Sequence, residues 1–340
     1  MKKFTVTNFP RGTVMNEPSD EGFHAIGDQA FVRESPYGTA AEATYAGALS
    51  FMRRRYTRDL EGVDVAVIGV PYDLAVSNRP GARFGPRAIR AASTQIAWAR
   101  LWPWDFDAMD RLHVVDAGDC LFDPGYPQAA ARAISDTFAV FLDKGVATLA
   151  LGGDHFVSYP ILQAYARQFG PLALVHFDAH SDTWAEAGER IDHGSMFYHA
   201  ARTGIVDPAR SVQIGIRTTN DESHGFTVLD AAFVHDHGVA AAVETVHRVV
   251  GDHPCYISFD IDVLDPCFAP GTGTPVVGGL GTHQARSIMR GLAGLDLKGM
   301  DVVEVAPAYD VAEITALAAA TIAADMLSVF ASQARYRPER

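Results

Sequence analysis

The sequence predicts an α/β fold, a mainly parallel sheet covered by helices on both faces. Three observations predict it. Short runs rich in Val, Ile and Leu recur from residue 63 onward and are apolar at successive positions, as strands buried on both faces are. Helical stretches separate these runs, the alternation that builds parallel sheets. The Asp and His residues best suited to chemistry stand where the runs end, and open α/β sheets bind ligands beyond the carboxyl ends of their strands.

The strand runs are VDVAVIGV (63–70), RLHVVDAG (111–118), VATLALGG (146–153), LALVHFDA (172–179), SVQIGIR (211–217), CYISFDI (255–261) and MDVVEVAP (300–307). Each is β-branched and bounded by Gly, Pro or Asp. Gly85-Pro86 in RFGPRAIR reads as a helix start, with Pro where a missing N–H costs nothing. AAARAISDTFAVFLDKG (129–145) and AAAVETVHRVVG (240–251) read as helices that end in the C-capping glycines Gly145 and Gly251. VAEITALAAATIAADMLSVFASQ (311–333) reads as a long, largely buried helix. Residues 1 to about 60 lack periodicity and read as an N-terminal arm packing over the body or a neighbouring subunit; residues 61–340 read as one domain.

With 340 residues, 48% hydrophobic, the chain can bury a substantial core. A formal charge of −13 argues against a nucleic-acid partner and suits a cationic substrate. Cys120, Cys255 and Cys267 form no metal-binding pair and leave an odd count, which fits a reducing cytoplasm. The start MKKFTVTNFPRG has no apolar region of a signal peptide, and no apolar run reads as long enough to span a bilayer. A soluble cytoplasmic protein is expected. No Gly-x-Gly-x-x-Gly or Walker-type loop follows a strand, and APGTGTPVVGGLG (269–281) reads as a rigid loop walling a pocket.

Chemistry gathers at three strand ends: His155 in GGDH, the group Asp178, His180 and Asp182 in HFDAHSD, and the pair Asp260 and Asp262 in SFDID. Burying several carboxylates together is costly unless cations or hydrogen bonds compensate them. One strand-end Asp would serve to cap backbone amides. Three metal-competent groups within five residues, joined by a second acidic pair, fit a metal site better. Two imidazoles among four carboxylates suit manganese or a similar divalent ion, and two ions are expected. Neighbouring Asp154 reads as a residue that orients the site.

The GGDH, DAHSD and SFDIDVLDP segments, in this order, resemble the signatures of the ureohydrolase family of arginases and agmatinases. The resemblance runs from about Val63 to the C-terminus; GIRTT, FAPGTGTPVVGGL and DVVEVAPAYD look most like the bacterial agmatinases within that family. It implies the three-layer α/β/α arginase-like fold, a homotrimer or homohexamer, and two Mn²⁺ ions. Asp178 and Asp260 would bridge the ions, His155 and Asp182 would complete one, and His180 and Asp262 the other. Guanidinium is a poor electrophile, so a hydroxide made available at neutral pH by metal and a proton for the leaving amine are both needed. By family position His193, in DHG, is the expected proton donor, and Glu304, in VVEVAP, the expected anchor for the planar guanidinium.

The substrate reading rests on TWAEAGERIDHG (183–194), which lacks the Ser-Gly-Asn element with which arginases grip an α-carboxylate. A small cationic guanidine without that carboxylate, agmatine, is therefore expected, hydrolysed to putrescine and urea. Glu186 or Glu189 would attract its ammonium; Arg190 instead suits a guanidino acid such as 4-guanidinobutyrate or 3-guanidinopropionate, the alternative reading. A two-metal phosphoesterase would place Arg or Lys among these motifs, a deacetylase of the same fold would keep only an Asp-His-Asp set, and a non-catalytic metal binder would lack His193 or Glu304. Trp98, Trp102 and Trp104 read as packing or subunit contacts, and His235 and His237 as solvated.

Overall fold

The computed structural model describes residue 30, residues 43–185, residue 188 and residues 190–336. Eight strands form one sheet: β1 (Val65–Val70), β2 (Val114–Asp119), β3 (Ala147–Gly152), β4 (Ala173–Phe177), β5 (Val212–Ile216), β6 (Thr227–Asp230), β7 (Cys255–Asp260) and β8 (Leu297–Val303). Their order is β2-β1-β3-β8-β7-β4-β5-β6. Every strand pairing is parallel, so the mainly parallel sheet of the sequence is a wholly parallel one. The helices are α1 (Gly85–Ser93), α2 (Ala130–Asp143), α3 (Ser158–Phe169), α4 (Met196–Arg202), α5 (Ala231–Val250), α6 (Thr282–Gly291) and α7 (Ile314–Ala331).

Alternation of side chains along each strand divides the interior into two cores, one on each sheet face. Val65 and Val67 of β1 point into the core shared with α1, α5, α6 and α7. Ala66, Ile68 and Val70 point into the other, built with α2, α3 and α4. The result is three layers, α/β/α.

Three elements differ from the sequence reading. Edge strand β6, TVLD, carries too few apolar residues to be read, and Thr227 to Val228 are part-exposed. Helix α5 starts at Ala231 and continues through Gly238, whose φ of 81° breaks the helical pattern that the sequence shows from residue 240. Helix α7 is long and apolar enough, by length and composition, to cross a bilayer, contrary to the expectation that no run is; 78% of that stretch is buried against the core. Its Asp325 accepts from Trp104 Nε1 at 2.8 Å and from Arg286 Nε at 2.6 Å, which places Trp104 in a packing role.

Most of the expected N-terminal arm lies outside the described residues. The part near Phe51 docks on the body: Phe51 is fully buried in the core, and its N–H donates to Asp116 Oδ2 at 2.8 Å. Asp116 in turn receives Arg90 Nε at 2.8 Å. Four adjacent strands in the middle of the sheet, β3, β8, β7 and β4, end on the same edge. Every acidic and histidine motif read from the sequence follows one of these four.

Candidate active site

Strand β3 runs into Gly152 and Gly153, where neighbouring loops come too close for side chains. A Cβ on Gly153 would sit 1.8 Å from Tyr72 O, and one on Gly152 2.5 Å from Val303 Cγ1. This close approach seats His155 between the loops that follow β1 and β8. His155 is buried, and its Nδ1 lies 3.0 Å from Asp178 Oδ2, 2.9 Å from Asp182 Oδ2 and 3.2 Å from Asp260 Oδ2. It makes a directed hydrogen bond to none of them. Its other nitrogen, Nε2, lies 2.8 Å from Ser258 Oγ, which donates to Asp301 Oδ1 at 2.7 Å. Asp301 Oδ2 also accepts from Ser158 at 2.7 Å and Tyr256 at 3.0 Å. With the hydroxyl spent on Asp301, Ser258 accepts from Nε2–H, so the Nδ1 lone pair faces the carboxylate cluster and is left for a cation there.

The second half of the cluster forms around His180. Its Nδ1 lies 3.3 Å from Asp178 Oδ1 and 3.1 Å from Asp262 Oδ2. Asp178 thus faces His155 with one oxygen and His180 with the other. Local backbone bonds hold the acids: Asp178 Oδ1 accepts from His180 N at 2.6 Å, Asp260 Oδ1 from Asp262 N at 2.8 Å, and Asp262 Oδ1 from Ala179 N at 3.1 Å. Asp182 is held with φ at 51°, a left-handed conformation uncommon for a residue with a side chain. All six expected metal residues therefore come together. Two overlapping groups could each hold an ion, one containing His155, Asp178 and Asp182, the other Asp178, His180 and Asp262.

His176 also stands in the first group, and the sequence reading missed it. Both of its nitrogens are already engaged. Gln213 Nε2, which donates to Ser181 O at 2.6 Å, lies 3.1 Å from His176 Nδ1, so that nitrogen accepts. Nε2–H then donates to Asp178 Oδ2 at 2.8 Å. His176 orients the central carboxylate and has no lone pair left for an ion. The signal was present: a His and a Gln inside otherwise apolar strands need partners.

The electrostatics fit divalent cations. Burial pushes Asp260 well up, reinforced by Asp262 and Asp178, and burial with the Asp178 charge raises Asp182 and Asp262. Burial works against charge on His180, yet Asp262 and Asp178 push it up to about 12. Burial opposes charge on Asp178 too, yet His176, His155 and His180 hold it well below the usual carboxylate range, while the other three acids and the two imidazoles draw protons. Cations of higher charge would displace those protons, and the mixed oxygen and nitrogen donor set suits manganese-like ions.

Further residues adjoin this floor. Glu304 follows β8 in a left-handed conformation, φ 62°, with its N–H donating to Gly153 O at 2.8 Å. Its Oε1 accepts from His155 N at 2.9 Å and lies 3.0 Å from His193 Nδ1; its Oε2 is buried with no partner. Burial opposes the His193 cation, but Glu304, Asp182 and Asp154 outweigh it and raise the imidazole to about 9. Asp154 Oδ2 accepts from Ala75 N at 2.8 Å, so this acid holds the loop after β1. The glycine-rich loop lies against these residues. Thr274 Oγ1 donates to Asp262 Oδ2 at 3.2 Å, and a Cβ on Gly273 would lie 3.4 Å from Glu304 Oε2. Arg217 ties that loop to the floor, donating to the carbonyls of Asp262 at 2.6 Å and Val276 at 2.8 Å.

Glu186 and Glu189, the acids expected to attract an ammonium group, lie outside the described residues. Arg190 is paired with Asp192 Oδ2 at 2.7 Å. Trp184, two-fifths exposed, lies with its ring centroid 6.3 Å from that of His180.

A model of the arginase family matches residues 63–328. The chain belongs to the arginase family. An agmatinase of Chromobacterium violaceum is 55% identical over 311 residues, 91% of this chain and 96% of that one. An agmatinase of Edwardsiella ictaluri is 54% identical over 79% of this chain and 89% of its own. Among solved structures, a hypothetical agmatinase from Burkholderia thailandensis superposes with a TM-score of 0.86 at 56% identity, covering 90% of this chain and 98% of the other. A proclavaminate amidino hydrolase from Streptomyces clavuligerus superposes at 0.82 and 41% identity, covering 86% and 99%. The arginase-family match leaves residues 1–62 outside and includes all eight strands and every residue of the cluster.

Proposed function

We propose that this arginase-family protein is an agmatinase, a cytoplasmic enzyme that hydrolyses agmatine to putrescine and urea with two Mn²⁺ ions. His155, Asp178, His180, Asp182, Asp260 and Asp262 would hold the ions. The observation that carries the reading is the buried, unpartnered Oε2 of Glu304 beside the carboxylate cluster. A buried carboxylate oxygen without a partner calls for N–H groups, and a planar guanidinium supplies them.

When bound, two such ions supply a hydroxide nucleophile at neutral pH by lowering the pKa of water to ~7. The remaining work falls to the chain. Glu304 holds the guanidinium, and the walls from the glycine-rich loop keep it over the floor. As the bond from the guanidino carbon to the alkylated nitrogen breaks, its electron pair stays on that nitrogen, and His193 supplies the proton there. His193 serves as a donor because Glu304, Asp182 and Asp154 favour its cation.

The names of the relatives and the pairing of Arg190 with Asp192 both favour agmatine over a guanidino acid. The likeness to an amidino hydrolase keeps the guanidino acid as the second reading. We propose further that residues from about 61 form a single catalytic domain and that the chain assembles as a homotrimer or homohexamer. The function is tested by urea release from manganese-loaded protein. Agmatine should exceed arginine and 4-guanidinobutyrate by at least ~10²-fold in kcat/KM, the discrimination of a site that leaves a charged group unpaired in the wrong substrate. Faster release from 4-guanidinobutyrate would replace the substrate while keeping the chemistry.

A further inference from the structure

We infer that Ser77 is a positioning residue for His193, holding Nε2 from outside so that Nδ1 stays turned toward Glu304 and the departing amine. This rests on the proton-donor role proposed for His193. Two atoms of Ser77 converge on the same ring nitrogen: its N–H reaches His193 Nε2 at 3.0 Å, and its Oγ lies 2.8 Å away. On the opposite side, Nδ1 faces Glu304 Oε1 at 3.0 Å.

The two sides of the ring differ in what they can guarantee. Glu304 Oε1 already accepts from His155 N, and Glu304 must also engage the guanidinium, so its hold on His193 changes during the reaction. Losing the proton from Nδ1 ends that nitrogen's donor role as well. Nε2 has a partner in either condition. Nε2 keeps its proton when Nδ1 gives one up, so the Ser77 hydroxyl accepts from Nε2–H before and after the transfer. The ring therefore need not swing between the two states, and a donor displaced by about an ångström loses much of its rate advantage.

Ser77 can act as an anchor because its own loop is fixed at several points. Ala75 N donates to Asp154 Oδ2 at 2.8 Å, Gly81 N donates to Asp73 Oδ2 at 2.8 Å, and Asn78 Nδ2 donates to Gly273 O at 3.1 Å. Arg83 also pairs with Asp73. Nothing in the metal motifs marks this loop. Ser77 is separated from His193 by 116 residues and stands in an exposed stretch, LAVSNRP.

The test compares Ser77→Ala and Ser77→Thr with the parent as manganese-loaded enzymes, reading kcat, KM and bound manganese. Ser77→Ala should lower kcat by ~10-fold, a fraction of the 10²–10⁴-fold that positioned proton transfer supplies, with KM and bound manganese unchanged. Ser77→Thr, which keeps the hydroxyl, should recover most of the loss. A Ser77→Ala enzyme matching the parent in kcat, equal impairment of both variants, or loss of manganese would each overturn the role. A parent that releases urea from no guanidine compound would overturn the proposed function together with it, whereas an active parent with an indifferent Ser77 would overturn the inference alone.

Discussion

The floor and the wall of the pocket are made differently. The floor is four strand ends, nearly dry, in which Asp178, Asp260 and Asp262 are held by bonds to backbone amides two or so residues away or on the next strand. The wall is loops: the segment carrying Ser77, the glycine-rich stretch, and the described residues between 183 and 194, held by long-range contacts and partly exposed. Local geometry can place a metal ligand to a fraction of an ångström because a strand end and its first turn leave few freedoms. A wall made from distant segments can vary without disturbing the floor.

Three substitutions can break or sharpen that division. Asp178→Asn removes the carboxylate that faces both imidazoles and should lower urea release on the order of 10³-fold or more, with bound manganese falling in step. Retained manganese and activity would remove Asp178 from the centre of the floor. His193→Asn strikes the wall side and should lower kcat by ~10²–10³-fold while leaving bound manganese intact. Its pH dependence follows from the same group. The imidazolium donor exists below a pKa of about 9 and is lost above it, so the parent's kcat should decline on an alkaline limb near pH 9. A kcat flat through pH 10 would assign the proton to another group. His176→Phe keeps a ring but removes the donor to Asp178 Oδ2, and should weaken manganese affinity by ~10–100-fold. An unchanged affinity would make His176 a packing residue.

The same contrast explains what the sequence made legible. The strands and the floor could be read because burial on both faces writes continuous apolar runs, and clustered acids and histidines interrupt them with charge at their ends. HFDAHSD and SFDID carry both marks. His176 and Gln213 carry the weaker mark of single polar residues within a strand, and their meaning emerges only when β4 and β5 lie side by side. Ser77 carries none, because its role depends on a loop folding across the sheet edge. Edge strand β6 escaped for the opposite reason: half-exposed, it has too little apolar pattern to stand out. Helix α7 shows the limit of composition, since the same apolar run that would suit a bilayer is covered here by the core.

The most direct measurement is the manganese bound per chain of the parent protein after loading and exhaustive dialysis. A floor of four carboxylates and two imidazoles should retain two ions per chain. Retention of one ion, or none, would contradict the binuclear site on which the proposed chemistry depends.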